Sequence, residues 1–231
     1  MKKIGVIVFP GTNCDRDVFH VLSKVMRIET EYIWHNRQTL NGFSGLVLPG
    51  GFSYGDRLRA GIIAAHSPVI NDVKRMAKDG VPILGICNGF QILIESGLLP
   101  GALVRNERLS FVCRWVDAKV KNATTPFTKL FRKNQKIRMP IAHGEGRYVA
   151  DAPTIKELRQ KEQIVLTFLN ENPNGSIESI ASICNSERNV VGMMPHPERA
   201  SERILSPVAN SIDGSIIFQS LVHYLGDTYT T

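Results

Sequence analysis

Several familiar functions find little support in this chain. Its cysteines, Cys14, Cys87, Cys113 and Cys184, lie far apart and form no Cys-x-x-Cys pair. That removes the ligand spacing of a structural zinc site and the density of a disulfide scaffold, so no metal is expected. No apolar run approaches the ~20 residues of a membrane span. The charged, then apolar, start from Met1 to Phe9 runs straight into Pro10-Gly11 without a small-residue cleavage site, and reads as a buried first strand rather than a signal peptide. There is no Gly-x-x-x-x-Gly-Lys-Ser/Thr loop to cradle a phosphate, no internal repeat and no low-complexity segment. Acidic residues are outnumbered 21 to 28, a net charge of +7. The densest basic cluster, Lys119, Lys121, Lys129, Arg132, Lys133, Lys136 and Arg138, has no interleaved aromatics and no nucleic-acid-binding motif. It reads as a solvated face, with an acidic protein partner as the next reading and no nucleic acid expected.

The chain does have bulk and alternation. At 231 residues and 43% hydrophobic it can bury a large core, and it reads as a single domain over 1–231 with 226–231 as a tail. Strands are expected at Ile4–Phe9, Glu31–Trp34, Gly45–Leu48 and Val81–Ile86. A first helix carries Val18, Val21, Leu22 and Val25 at helical spacing, with Asn13 or Asp15 as cap. Ser67-Pro68 opens a second, with Val69, Val73, Met76 and Ala77 as its apolar face and Gly80 as its stop. A third runs from Asn88 to Ser96 and stops at Gly97. This β-α alternation implies an α/β fold, a mostly parallel sheet with helices on both faces and reactive loops at the carboxyl ends of the strands. From Phe111 the pattern turns antiparallel: Phe111–Val120, Lys136–Ile141, Ile164–Leu169, Ser179–Ile183 and Val190–Met194, then a closing helix over Asp213–Leu225.

The stretch richest in chemistry is Val81-Pro82-Ile83-Leu84-Gly85-Ile86-Cys87-Asn88-Gly89-Phe90-Gln91. An apolar run, Gly-x-Cys-x-Gly and an amphipathic helix make the grammar of a nucleophile elbow, with a thiol for the hydroxyl. Gly85 and Gly89 leave room on either side of the turn. The following helix offers its positive end to a thiolate, and the Asn88 N–H is free to help bind an oxyanion. A buried cysteine packed as a small hydrophobe is the plain alternative.

A partner for the thiol appears in Met194-Pro195-His196-Pro197-Glu198-Arg199. Prolines hold the chain extended around His196, and in an extended chain residues i and i+2 face one way, so Glu198 can reach the ring. Cys87, His196 and Glu198 then fill the roles of nucleophile, base and orienter. Leu48-Pro49-Gly50-Gly51 is either a loop whose N–H groups approach substrate or only a tight turn. His143-Gly144-Glu145-Gly146 shapes a small polar pocket, and spacing alone leaves His143 as a rival base.

Together, Pro-Gly-Gly, Gly-Ile-Cys-Asn-Gly-Phe-Gln and Pro-His-Pro-Glu resemble the class I, triad-type, glutamine amidotransferases, over nearly the whole chain. Phe9-Pro10-Gly11-Thr12-Asn13-Cys14-Asp15, Gly51-Phe52-Ser53-Tyr54-Gly55-Asp56 and His143-Gly144-Glu145-Gly146 resemble one branch of that family, the separate glutaminase subunits of a purine-biosynthetic synthase. The resemblance implies a flavodoxin-like three-layer fold with an antiparallel extension. It implies Gly50, Gly51 and Asn88 as oxyanion hole, and Gln91, His143, Gly144 and Glu145 as glutamine-binding residues. It also implies cytoplasmic location and no cofactor on this chain. ATP and Mg²⁺ would be used by a large synthetase subunit, which a small bridging subunit joins to this one. Two rivals remain: a stand-alone Cys-dependent amidase or peptidase of the same architecture, and a non-catalytic basic binding module.

Overall fold

The computed structural model describes residues 2–207 and 211–226; most of the expected tail lies outside them. In chain order the strands and helices are β1 (Lys3–Val8), α1 (Asp15–His20), β2 (Glu29–Trp34), β3 (Gly45–Leu48), α2 (Val69–Lys78), β4 (Ile83–Ile86), α3 (Asn88–Glu95), β5 (Ala102–Val104), β6 (Val112–Val120), β7 (Lys136–His143), β8 (Arg147–Val149), α4 (Ala152–Gln160), β9 (Ile164–Phe168), β10 (Ile180–Cys184), β11 (Val190–Met193) and α5 (Asp213–Tyr224).

The main sheet has nine strands in the order β2-β1-β3-β4-β11-β10-β9-β6-β7. From β2 to β11 all pairings are parallel; beyond β11 they are antiparallel, and only β10 and β6 run against the rest. The antiparallel extension is therefore the continuation of the same sheet. β3, β4, β10 and β11 are buried at every residue, as strands covered on both faces must be, whereas β7 alternates buried with more exposed positions. The chain moves from β1 out to β2 on one side, then back past β1 to β3 and β4 on the other. Right-handed crossovers then place α1 and α2 on opposite faces. That reversal puts a crevice beyond the carboxyl ends of β1 and β3. A single apolar core joins Ile4 at one end of the chain to Leu225 at the other.

Helix ends follow local chemistry. Gly80 (φ +79°) and Gly97 (φ +77°) close α2 and α3 in the left-handed conformation. Each terminus is sealed by two bonds, Gly80 N to Ala77 O with Val81 N to Met76 O, and Gly97 N to Ile94 O with Leu98 N to Leu93 O. Val81 is thus taken up in finishing α2, which is why β4 starts at Ile83 rather than at Val81. The first helix departs from expectation. Cys14 is its N-cap residue, no side chain caps it, and neither Asn13 nor Asp15 takes that role. After His20 it widens into a π turn over Val21–Val25, closed by Met26 N to Val21 O. Val18, Val21 and Leu22 still reach the core.

Elements with thin apolar signals are absent from the sequence reading. α4 shows only Ile155 and Leu158 to the core and is set by its cap, Thr154 N donating to Asp151 Oδ1 at 3.0 Å. β5 and β8 form a separate antiparallel pair of three residues each. Within the basic cluster, Lys133 pairs with Glu162 and Lys136 with Asp117, both at 2.8 Å, the pattern of a solvated face.

Candidate active site

Cys87 sits where β4 ends and α3 begins, with φ +50° and ψ −104°. A non-glycine residue there stores on the order of 1–3 kcal/mol and must be held by its surroundings. Its N–H donates to Met193 O of β11 at 2.7 Å, and its carbonyl accepts from Gln91 N at 3.1 Å as α3 starts. The tight approach explains both glycines. A Cβ on Gly89 would overlap the Leu48 carbonyl oxygen, and one on Gly85 would stand 2.7 Å from the Gly89 oxygen. The Cys87 sulfur lies 3.6 Å from the Ala142 carbonyl of β7.

His196 is brought to the same place by β7, its N–H donating to Pro140 O at 2.8 Å. Nδ1 is 2.6 Å from Glu198 Oε1, and both side chains are buried. The route differs from expectation: His196 itself is extended, but Pro197–Ala200 forms a 3-10 turn, and it is this turn that folds Glu198 onto the ring. Nε2 of His196 is buried with no hydrogen-bond partner among the described residues. Burial lowers the proton affinity of His196, but the Glu198 carboxylate, then Cys87 and Cys14, outweigh it and hold His196 well above the ordinary histidine value.

Gly51, Phe52, Asp56, Cys87, Gln91, Phe111, Ala142, His143, Gly144 and Glu145 line a cavity of about 170 Å³. That is below the ~300–1,000 Å³ of sites for drug-sized ligands and on the scale of one amino acid. Gly51 faces this cavity; Gly50 instead packs against the triad, where a Cβ would stand 2.7 Å from His196 Cε1. The loop is tied down by Cys14 N to Gly50 O at 3.1 Å and Phe52 N to Gly11 O at 3.0 Å. The Asn88 N–H opens α3, where the first N–H groups have no intrahelical acceptor. Its side chain accepts from Ser53 N at 3.1 Å and so fastens the Gly-Gly loop to the elbow helix. Gln91 donates to Glu145 O at 2.6 Å and accepts from Asn88 Nδ2 at 2.8 Å, leaving one amide N–H and one lone pair free.

His143 and His196 are held in opposite states. His143 is pushed down to about 4 by burial and then by the charge on His196, so it is neutral at pH 7. Its Nδ1 donates to Asn106 Oδ1 at 3.1 Å, a tautomer assigned from the network because that oxygen also accepts from Gly146 N at 3.0 Å. No carboxylate is hydrogen-bonded to the His143 ring among the described residues, whereas one is bonded to His196.

Sequence reasoning passed over Asn106, Asp56 and Cys14. Asn106 is buried and also donates to the carbonyls of His143 and Ser110, both at 2.9 Å, which fixes the His-Gly-Glu-Gly loop. A lone Asn in a loop carries no signal for this. Asp56 is pushed up to about 6, by burial and then by Glu145. Its signal was present, a carboxylate closing the Gly51–Asp56 block. Cys14 is buried with its sulfur beside His196 and Glu198, although its sequence neighbours say nothing of that.

The phosphoribosylformylglycinamidine synthase subunit PurQ of Methanosarcina barkeri is 51% identical, over 98% of this chain and 100% of its own. The subunit of the same name from Alkaliphilus metalliredigens is 52% identical over 96% of each. The solved structure of PurLQS from Thermotoga maritima contains a chain that superimposes with a TM-score of 0.87 at 45% identity, over 97% of this chain and 99% of that one. A putative GMP synthase subunit from Thermoplasma acidophilum, 19% identical with a TM-score of 0.64 over 98% of this chain and 94% of that one, shares the fold. Residues 1–225 match the model of the CobB/CobQ-like glutamine amidotransferase domain, and the chain belongs to that family.

Proposed function

We propose that Cys87, His196 and Glu198 hydrolyse the side-chain amide of glutamine, and that the ammonia released is passed to a synthetase. The chain is the glutaminase subunit of a phosphoribosylformylglycinamidine synthase. The observation that carries the mechanism is the strained Cys87 at the floor of an amino-acid-sized cavity, with the His196–Glu198 pair beside it.

Glutamine enters with its amide carbon against the Cys87 sulfur. The sulfur attacks, and the tetrahedral oxyanion is held by the N–H groups of Asn88 and the Gly50-Gly51 loop, worth ~3 kcal/mol per donor. Protonated His196 gives its proton to the departing nitrogen, the C–N bond breaks, and ammonia leaves a γ-glutamyl thioester. Neutral His196 then takes a proton from water, which attacks the thioester; the C–S bond breaks and glutamate is released. Glu198 orients the ring throughout. His143, neutral and fixed by Asn106, offers the Nε2 lone pair as an acceptor, and Gln91, Gly144 and Glu145 shape the wall. Asp56 and Glu145 form the subsite for the α-ammonium group of glutamine, since the Asp56 carboxyl, raised by burial and then by the Glu145 charge in a small cavity, is relieved by a substrate cation.

Two partners complete the assembly, a large synthetase subunit and a small bridging subunit. ATP and Mg²⁺ are used by the synthetase, and formylglycinamide ribonucleotide becomes formylglycinamidine ribonucleotide there. The whole chain acts as one amidotransferase domain. Its place is the cytoplasm, where a reducing environment keeps a catalytic thiol active; all four cysteines are free, and no helix among the described residues is long and apolar enough to cross a membrane.

The test is glutamate release from glutamine by the purified chain alone, then with both partner subunits, ATP and formylglycinamide ribonucleotide. Release should rise sharply on assembly and vanish in Cys87→Ala, while ammonia-dependent synthesis by the assembly survives. Release that is already maximal for the chain alone would instead favour a stand-alone amidase.

A further inference from the structure

Two buried thiols, Cys14 and Cys184, are unused by this mechanism, and only Cys14 stands at the triad. Cys14 is 2% exposed, and its sulfur lies with a nitrogen of His196 and an oxygen of Glu198 in a cluster no wider than 4.8 Å. Its main chain is fastened to the Gly-Gly loop through Gly50 O, and a Cβ on Gly50 would stand 3.1 Å from the sulfur. The sulfur accepts a hydrogen bond from Arg199 Nη2 at 3.1 Å. A soft metal could use the same donors, but the Arg199 guanidinium already places a fixed positive charge against the sulfur and opposes a second cation there.

Arg199 has two carboxylates within reach. Its Nε is 3.7 Å from Asp17 Oδ2, which is half exposed, and 3.9 Å from Glu198 Oε1, and Glu198 Oε2 is buried with no partner among the described residues. A guanidinium turned fully onto that carboxylate would compete with His196 for its charge. The sulfur holds the Nη2 end of the guanidinium and so resists the turn that would bring Nε from 3.9 Å onto the carboxylate, and it also sits against the imidazole whose protonated form the reaction needs.

We propose that Cys14 is a positioning residue of the glutaminase: its sulfur engages Arg199, keeps that cation off Glu198, and preserves the His196–Glu198 pair. The proposal rests on the triad reading above, and its test separates the two, because failure of that reading would leave glutamine hydrolysis intact in Cys87→Ala, whatever the Cys14 variants do.

The experiment uses the assembled complex and reads kcat/KM for glutamine against pH in Cys14→Ala, Cys14→Ser, Arg199→Met and the double variant Cys14→Ala/Arg199→Met. Pseudo-first-order alkylation of Cys87, followed by peptide mass spectrometry, gives a readout independent of glutamine. Cys14→Ala should lower kcat/KM by about tenfold and move the alkaline limb of its pH profile to lower pH, as His196 gives up its proton more easily, and should slow Cys87 alkylation below neutral pH, where the thiolate depends on the imidazolium beside it. The double variant should move the limb back, because the competing cation is gone, and Cys14→Ser should fall between. A filled-space role alone predicts no rescue by Arg199→Met. An alkaline limb unmoved in folded Cys14→Ala or Cys14→Ser, or a double variant no better than Cys14→Ala, overturns the proposal.

Discussion

Asp56 and Glu145 line one cavity, and the charge on Glu145 adds to burial in pushing the Asp56 carboxyl up to about 6. Among the described residues Asp56 has no ion-pair partner; its best contact is a long 3.4 Å bond from Asn88 Nδ2. The residue before the Arg57-Leu58-Arg59 turn is therefore an ionised group held at a cost to stability. It also sits at φ +52°, between Gly55 (φ +70°) and, two residues on, Leu58 (φ +69°), in a segment that stores backbone strain beside the site.

Removing that charge should stabilise the free protein. The folded-state value of Asp56 lies above its unfolded value, so the folded form binds the proton more tightly. Its unfavourable contribution is full above pH 6, shrinks between pH 6 and 4, and is gone below both values. Because the carboxyl is only half-buried, solvent screening reduces the effect to about 1 kcal/mol. Asp56→Asn should raise the melting temperature at pH 7.5 and leave it unchanged at pH 3.5. Equal shifts at both pH values would count against a charge effect.

The same variant should bind glutamine worse. If the substrate ammonium neutralises Asp56, Asp56→Asn raises KM by about tenfold or more while kcat changes little, because the contact is present before and during the reaction. In the wild type, KM should rise as pH falls through about 6, where Asp56 takes up a proton and loses its attraction for the cation. An analogue of glutamine without the α-amino group should bind both proteins alike. Steady-state kinetics in the assembled complex, from pH 5 to 8, decides the matter, and a KM that is flat in both proteins would remove Asp56 from the subsite.

Much of the parallel half of the fold could be read because β1, β3 and β4 are largely continuous apolar runs and α2 and α3 end in Gly80 and Gly97, each with a single physical meaning. The elbow could be read for the same reason: Gly85 and Gly89 are required by close backbone approach, a constraint visible as residue type. β5 and β8 could not, since three residues are too few for any periodicity. Nor could the π turn after His20, because Val18, Val21 and Leu22 keep helical spacing whether the last turn is tight or wide. At the site, Glu198 was placed correctly beside His196 for a reason that does not hold, the extended chain being a 3-10 turn. Asn106 and Cys14 act through partners 37 and 185 positions away. Local pattern does not carry contacts of that span.

Gly89 tests the elbow without touching the chemistry. Alanine in its place improves helix propensity by ~1 kcal/mol at most. Against that, its Cβ would overlap the Leu48 carbonyl oxygen and stand 2.7 Å from the Leu48 carbonyl carbon, both backbone atoms of a buried strand. Overpacking of this kind costs ~1–3 kcal/mol, and a backbone neighbour cannot rotate away. Gly89→Ala should therefore lower the melting temperature and reduce glutaminase activity together. A variant as stable and active as the wild type would show that α3 can shift away from β3.

The charge on His196 gives the last prediction. Burial alone would keep this ring neutral; Glu198 is the largest influence opposing it, ahead of Cys87 and Cys14. Glu198→Gln keeps the shape and one acceptor oxygen but removes the negative charge, so burial prevails and His196 loses its proton at lower pH. The alkaline limb of the kcat profile should move to lower pH, and kcat at pH 7.5 should fall by ~10²–10⁴, the contribution of a correctly protonated acid–base group. KM should change little, because Glu198 does not line the cavity. His143 gives an internal control. It is neutral from about pH 4 upward, so no second limb from that ring should appear between pH 5 and 8 in either protein. The pH dependence of kcat in the assembled complex, wild type against Glu198→Gln, measures both points. A limb that stays where it was would mean that His196 owes its proton to the sulfurs and not to the carboxylate.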